Sequence, residues 1–481
     1  MSNHPQLESL IQSMSGAEKR YFKMNAPTNR KKGTGQFMKL YDAMVNGREL
    51  NKKAGENRAA TVGYLYNSIL QCLDTFHEKN SVEFKLDRMI RSGVLLFNRG
   101  LYKQSMKMLM KAESAAIDQE DYARLQIIYP HLKSLLGIKT DYGSQTIQIS
   151  QVLDRTLKAS EELHLQARLR FIQIKFQQSV AETANITEEL VEELNTLVNS
   201  TAMNEVGEES SFFSKVTASQ IWSQYYMLTN DNEAGLIHGK KVFDLCYSGG
   251  ELMRDHGKLL VASAHNYMMR CMRARRFDEM LRVLGQLDER SFKDLRVEVV
   301  KLETYFSNLL SYYIVSKRFD DDQVLTKADV AVTDSGEKMN QNFLMFIFTL
   351  CSIFALYKGE LRSAVTWINR FLNHENRHSF AKNLSVAFDF RLLIYYEQGK
   401  MDLLETLLKS NDGKEVGFND FPQVRSIIRD FLLKEVEGST NKKRNVKAFL
   451  KSLSALKKSG QEPAAFDFFP FDEWVSSKLA E

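Results

Sequence analysis

Residues 260–287 read LVASAHNYMMRCMRARRFDEMLRVLGQL, and the order of apolar and polar side chains in them decides the fold. Leu260, Ala264, Tyr267, Met268 and Cys271 recur at the spacing of one face of an α-helix. A short basic break ending at Arg276 follows. The same periodicity then resumes at Phe277, Met280, Leu281, Leu284 and Leu287. Two helices of about 15–18 residues joined by so tight a turn must lie antiparallel. A single hairpin of this kind cannot bury both apolar stripes. Stacked neighbours can, which predicts a repeat architecture.

Outward from this hairpin, similar short breaks stand at Gly100, Arg318, Gly359 and Gly399, with weaker ones near Gly143, Asn185 and Asn230. In chain order the intervals are 43, 42, 45, 46, 42, 41 and 40 residues. Proline supports the same reading. Of six prolines, Pro130 alone falls between Pro27 and Pro422, and scarce proline favours long helices with short connections. No stretch of useful length alternates apolar and polar residues as a strand would. The fold is therefore expected to be all-α: an α-solenoid of stacked antiparallel helix hairpins, with atypical helical caps at both ends.

The turns share a local pattern. NRGLYKQSMKML places Gly100, Tyr102 and Ser105 in the order glycine, apolar at +2, small at +5. YKGELRSAVTWI repeats it with Gly359, Leu361 and Ala364, and EQGKMDLLETLL nearly does with Gly399, Met401 and Leu404. The glycine suits the turn, and the small residue lets two helices approach closely. On these motifs, over roughly residues 81–437, the chain resembles a divergent tetratricopeptide-like (TPR-like) α-helical repeat protein with units of about 43 residues.

The ends read differently. Residues 1–80 suggest shorter helices around the break NRKKGTG at 29–35, a basic helical N-terminal cap or small domain. Residues 438–481 suggest a C-terminal helical cap ending in the aromatic run FDFFPFDEW. Net charge is +5 overall, but residues 17–58 hold eleven Lys and Arg against four acids, and residues 441–460 hold seven with no acid. Basic segments of this kind are compatible with nucleic acid. The N-terminus lacks the basic-then-apolar layout of a secretory signal. The longest apolar run, 343–357, is too short for a bilayer and suits a buried helix. Cys72, Cys246, Cys271 and Cys351 have neither metal-ligand nor redox spacing. A cytoplasmic protein is expected.

Most catalytic chemistry finds no support. His374-Glu375-Asn376-Arg377-His378 matches H-E-x-x-H, but it falls on a connection between helices, whereas a zinc site needs both histidines on one helical face and a third ligand. Glu397 and Asp389, the acids downstream, are badly placed to supply it. GLIHGKK at 235–241 is one residue short of a phosphate loop. Asp320–Asp322 lacks the glycine and distal glutamate of a calcium loop and reads as the acidic start of a helix. No enzyme, metal, cofactor or small-molecule substrate is expected.

A binding surface is. The resemblance implies that the first helix of each pair lines a concave face. Asn266 and Arg270 stand off the apolar stripe of one such helix, and Asn308 and Tyr312 do so 42 residues later. These four are the candidate binding residues, able to hold an extended peptide through backbone and carboxylate contacts. The leading expectation is a non-enzymatic protein- or peptide-binding scaffold. The alternative is a nucleic-acid-binding regulator. It would use the basic N-terminal segment with Arg30, Lys31 and Lys32, a positioning helix at Glu49–Lys53 and a recognition helix at Ala60–Leu73.

Overall fold

A computed structural model of the chain describes residues 5–26, 34–45, 58–78, 81–138, 142–182, 187–375, 381–409, 422–438 and 442–459, with Phe471 and Trp474. Among the described residues there is no strand, so the chain is all-α. The helices are α1 (Pro5–Ser13), α2 (Gly16–Asn25), α3 (Thr34–Val45), α4 (Arg58–Glu78), α5 (Val82–Asn98), α6 (Tyr102–Asp118), α7 (Tyr122–Gly137), α8 (Tyr142–Glu182), α9 (Glu188–Val198), α10 (Thr201–Asn204) and α11 (Phe212–Leu228). They continue as α12 (Asn232–Ser248), α13 (Gly257–Arg273), α14 (Phe277–Asp288), α15 (Leu295–Ser316), α16 (Val324–Ser335), α17 (Gln341–Tyr357), α18 (Leu361–Leu372), α19 (Ala381–Glu397), α20 (Met401–Lys409), α21 (Pro422–Val436) and α22 (Lys442–Lys458). Two compact units emerge: residues 1–171 with 205–214, and residues 172–204 with 215–481.

In the first unit, α1 to α4 close around Leu7, Ile11, Phe22, Tyr41, Leu65 and Ile69. Ser15 caps α2 in a reciprocal box with Glu18, and Glu18 in turn meets His77 of α4 at 2.5 Å. A second cluster joins α5, α6 and α7 through Leu86, Ile90, Leu109, Ala112, Ile128 and Leu132.

In the second unit the packing is regular. Helix α13 packs on α12, α14 and α15; α15 packs on α13 and α17; α17 on α18 and α19; α19 on α20 and α21; and α21 on α22. Each odd-numbered helix thus touches the next odd-numbered one as well as its own partner. Helix α17 carries the longest apolar run. It is buried from Leu344 to Leu356 apart from Phe346, which is half-buried. No described helix is long and apolar enough to cross a membrane. All four cysteines are buried.

The turns explain the intervals seen in the sequence. Gly100, Asn230, Arg275, Lys317, Gly359 and Gly399 all have positive φ. At five of these turns the helix closes through a six-residue amide-to-carbonyl bond: Leu101 to Leu96 at 3.0 Å, Arg276 to Cys271 at 2.8 Å, Arg318 to Tyr313 at 3.0 Å, Glu360 to Ala355 at 2.9 Å and Lys400 to Tyr395 at 3.0 Å. From 275 onward the left-handed residues stand 42, 42 and 40 apart. Two turns fall one residue earlier than expected, at Arg275 and Lys317.

One expectation fails. The interval between the marks at Gly143 and Asn185 holds no hairpin. Helix α8 runs unbroken from Tyr142 to Glu182, with Gly143 in its first turn; Asn185 lies outside the described residues. The physical reason is plain in the sequence, which has neither glycine nor proline from 144 to 182. The acidic run at 320–322 does open a helix: Asp321 Oδ1 accepts the amides of Gln323 at 2.8 Å and Val324 at 3.1 Å, and Tyr313 donates to Oδ2 at 2.8 Å.

Candidate functional site

The candidate surface lies on α11, α12 and α13 in the second unit. Asn266 and Arg270, four residues apart, share one face of α13. Asn266 is exposed and Arg270 is half-buried. Arg270 is held at two points. Its Nε donates to Ser223 Oγ at 2.5 Å, while the same hydroxyl donates to the Gly235 carbonyl at 3.2 Å. On α12, Gly239 leaves room for the stem: a Cβ there would stand 3.0 Å from Arg270 Cδ.

The electrostatics of Arg270 are unusual for this chain. Arg370 faces Asp329 at 2.5 Å, and Arg425 and Arg429 share Asp389 at 2.5 and 3.2 Å. Among the described residues no carboxylate stands within ion-pair distance of Arg270. Burial pushes its guanidinium down to about 10, and the like charge of Arg273 adds to the shift. With Nε held by Ser223, the outer edge of the guanidinium, Nη1 and Nη2, keeps the forked geometry that grips a carboxylate at two points.

Asn308 and Tyr312 do not face solvent, contrary to the sequence reading. Asn308 is fully buried, and its amide donates to the Thr304 carbonyl and to His265 Nδ1, both at 2.8 Å. Tyr312 is buried edge-on against Phe277, at 5.6 Å between ring centres. The reason is the position of α15 between α13 and α17. A helix covered on two sides buries residues well away from its main apolar stripe. Burial lowers the pKa of His265 below the usual histidine range, which suits Nδ1 accepting from the Asn308 amide.

An aromatic group that the sequence reading missed stands on α11 and α12. Trp222, Tyr226 and His238 stack, at centroid distances of 5.5, 6.0 and 5.5 Å, and Tyr225 meets Trp222 and Tyr226 edge-on. All four rings are half-buried. Tyr225 OH donates to Asn195 Oδ1 at 3.3 Å, and Tyr225 walls an open depression with Thr187, Glu188, Val191, Glu192 and Asn195. The run WSQYY at 222–226 carried the signal, since aromatic residues at +3 and +4 share a helical face.

The remaining candidates are placed as follows. His374 and Glu375 stand just after α18, at the start of the connection to α19, while Asn376, Arg377 and His378 lie outside the described residues. The acids downstream are engaged elsewhere: Asp389 by two arginines, and Glu397 by Trp474 Nε1 at 2.6 Å. Arg30, Lys31, Lys32 and the segment 49–53 also lie outside the described residues. In α4, Asn67 and Gln71 are exposed while Leu65, Ser68, Ile69 and Cys72 are buried. Comparison of the chain with protein-family models, with curated proteins and with solved structures gives no match.

Proposed function

We propose that the chain is a non-enzymatic scaffold, a divergent TPR-like α-solenoid of roughly 43-residue hairpins that holds a protein or peptide segment on the exposed face of α13 and its neighbours. The basic N-terminal helices and the segment from 438 onward act as its caps, and its place of work is the cytoplasm. The observation that carries this reading is Arg270: a half-buried guanidinium, aimed by Ser223 and Gly239, with no carboxylate of the described chain beside it. Removing a cation from water without a counter-charge is unfavourable, so the arrangement suits a carboxylate brought by a partner. Asn266, one turn earlier, offers an amide to the same segment's backbone. The aromatic group of Trp222, Tyr225 and Tyr226 supplies the rigid apolar area typical of interface centres.

The test is capture from nuclease-treated native lysate on the full-length protein, with Asn266→Ala, Arg270→Ala and, as a control, Arg254→Ala. The expected result is a protein partner that is retained by the wild type and the control and is lost with Arg270→Ala. A bound set that is empty, or unchanged by both Asn266→Ala and Arg270→Ala, contradicts the reading.

A further inference from the structure

A second charged surface lies on α22, and the peptide-binding reading makes no use of it. The helix reads KKRNVKAFLKSLSALKK, with seven basic residues and no acid. Its apolar face is committed to the fold. Val446, Phe449, Leu453 and Leu456 are buried, and Phe449 stacks on Phe431 of α21 at 4.4 Å with an interplanar angle of 6°. The opposite face carries Lys443, Lys447, Lys451 and Lys458, all exposed. The first three follow one another at four-residue steps, about 6 Å apart along the axis, and the row spans roughly 22 Å.

No ion pair among the described residues accounts for this row: none of the four lysines has a carboxylate within ion-pair distance there. Like charges four residues apart oppose helix formation. The helix dipole favours cations at the C-terminal end, which suits Lys458, but it disfavours them in the first turns, where Lys443 and Lys447 stand. A row of cations kept against both effects fits a polyanion.

We infer that the exposed face of α22 is a contact surface for the phosphate backbone of duplex nucleic acid. A bilayer fits less well, because an interfacial helix must insert its apolar face and that of α22 is buried. The row offers ammonium groups without amide or aromatic groups beside them, so it neutralises phosphates without reading bases. It involves a different stretch of sequence from Arg30–Lys32 and does not depend on the scaffold reading.

The experiment uses full-length protein and a fluorescein-labelled DNA duplex of about 20 base pairs and arbitrary sequence, followed by anisotropy from about 50 to 200 mM KCl. Four phosphate contacts predict a log–log slope near −3.6, a loss of roughly 150-fold in affinity over that range. Lys447→Glu with Lys451→Glu, both exposed, is expected to weaken binding at least about tenfold and to flatten the slope by about 2, with an unchanged melting temperature. An Arg30→Ala, Lys31→Ala, Lys32→Ala variant is expected to bind as the wild type does. Three results would overturn the inference: no salt-dependent binding at about 50 mM, binding lost in the N-terminal variant and kept in the α22 variant, or equal competition by phosphatidylserine vesicles at the same lysines.

Discussion

Ser105 Oγ donates to the Gly93 carbonyl at 2.7 Å, tying α6 to α5 across their turn. The link recurs as Ser223 to Gly235 at 3.2 Å and Ser352 to Ala364 at 2.9 Å, always twelve residues apart and with the left-handed turn residue five before the second partner. Each pair sets a serine against a residue with at most a methyl side chain, so the helices approach closely enough for a hydroxyl to reach the neighbouring backbone. A Cβ on Gly93 would stand 2.7 Å from Leu109 Cδ2 and Cγ, and Leu109 is fully buried. Gly93→Ala is therefore expected to destabilise the fold by about 1–3 kcal/mol through overpacking. Urea unfolding of the variant checks this, and an unchanged midpoint would show that the close approach is not structural.

The turns offer a reciprocal test. Lys317 holds φ 59° where glycine would be unstrained, and Gly359 holds φ 76° with nothing within 4 Å of where a Cβ would stand. Lys317→Gly is expected to stabilise by about 0.5–1 kcal/mol, and Gly359→Val to destabilise by about 1–2 kcal/mol from backbone strain alone. Opposite shifts in melting temperature are the expected outcome.

Asp389 is buried between Arg425 and Arg429. Asp389→Ala removes the buried carboxylate that both half-buried guanidinium groups share and is expected to cost about 3–5 kcal/mol. The loss should persist at high salt, unlike that of an exposed pair. Denaturant unfolding at low and high ionic strength separates the two cases.

His265 gives the fold a pH dependence of known sign. Burial lowers its folded pKa below the ordinary 6.5. Below that pH the unfolded chain takes up a proton that the folded chain refuses, so stability falls as pH drops from about 6.5 toward the folded value and is flat above it. His265→Gln should remove this slope. Comparing urea midpoints at about pH 7.5 and 5.5 in both proteins tests it, and an identical slope in the variant would assign the effect to other groups.

Much of the architecture is legible in the sequence because helices advertise their periodicity and glycine marks turns. Gly100, Gly359 and Gly399 can be read directly. Arg275 and Lys317 can only be placed to within a residue, since a non-glycine residue in the left-handed region carries no compositional mark. The turn at Glu120, with φ 50°, goes unmarked for the same reason. Helix α8 reads as a hairpin only when a regular interval stands in for an actual break. The site is half legible. Asn266 and Arg270 are reachable from outside, but Asn308 and Tyr312 are not, because a helical wheel shows the main apolar stripe and not a second neighbour. That no carboxylate among the described residues stands beside Arg270 cannot be read from the sequence at all, since several ion pairs join residues about 40 positions apart, as with Arg370 and Asp329.

The most direct test of the account is calorimetric titration of the captured partner's binding segment into wild-type protein and into Arg270→Ala. A charge-assisted pair of hydrogen bonds at Arg270 predicts a Kd weaker by roughly 10- to 150-fold in the variant. Equal affinity for the two proteins would show that Arg270 takes no part in recognition and would remove the observation on which the proposed function rests.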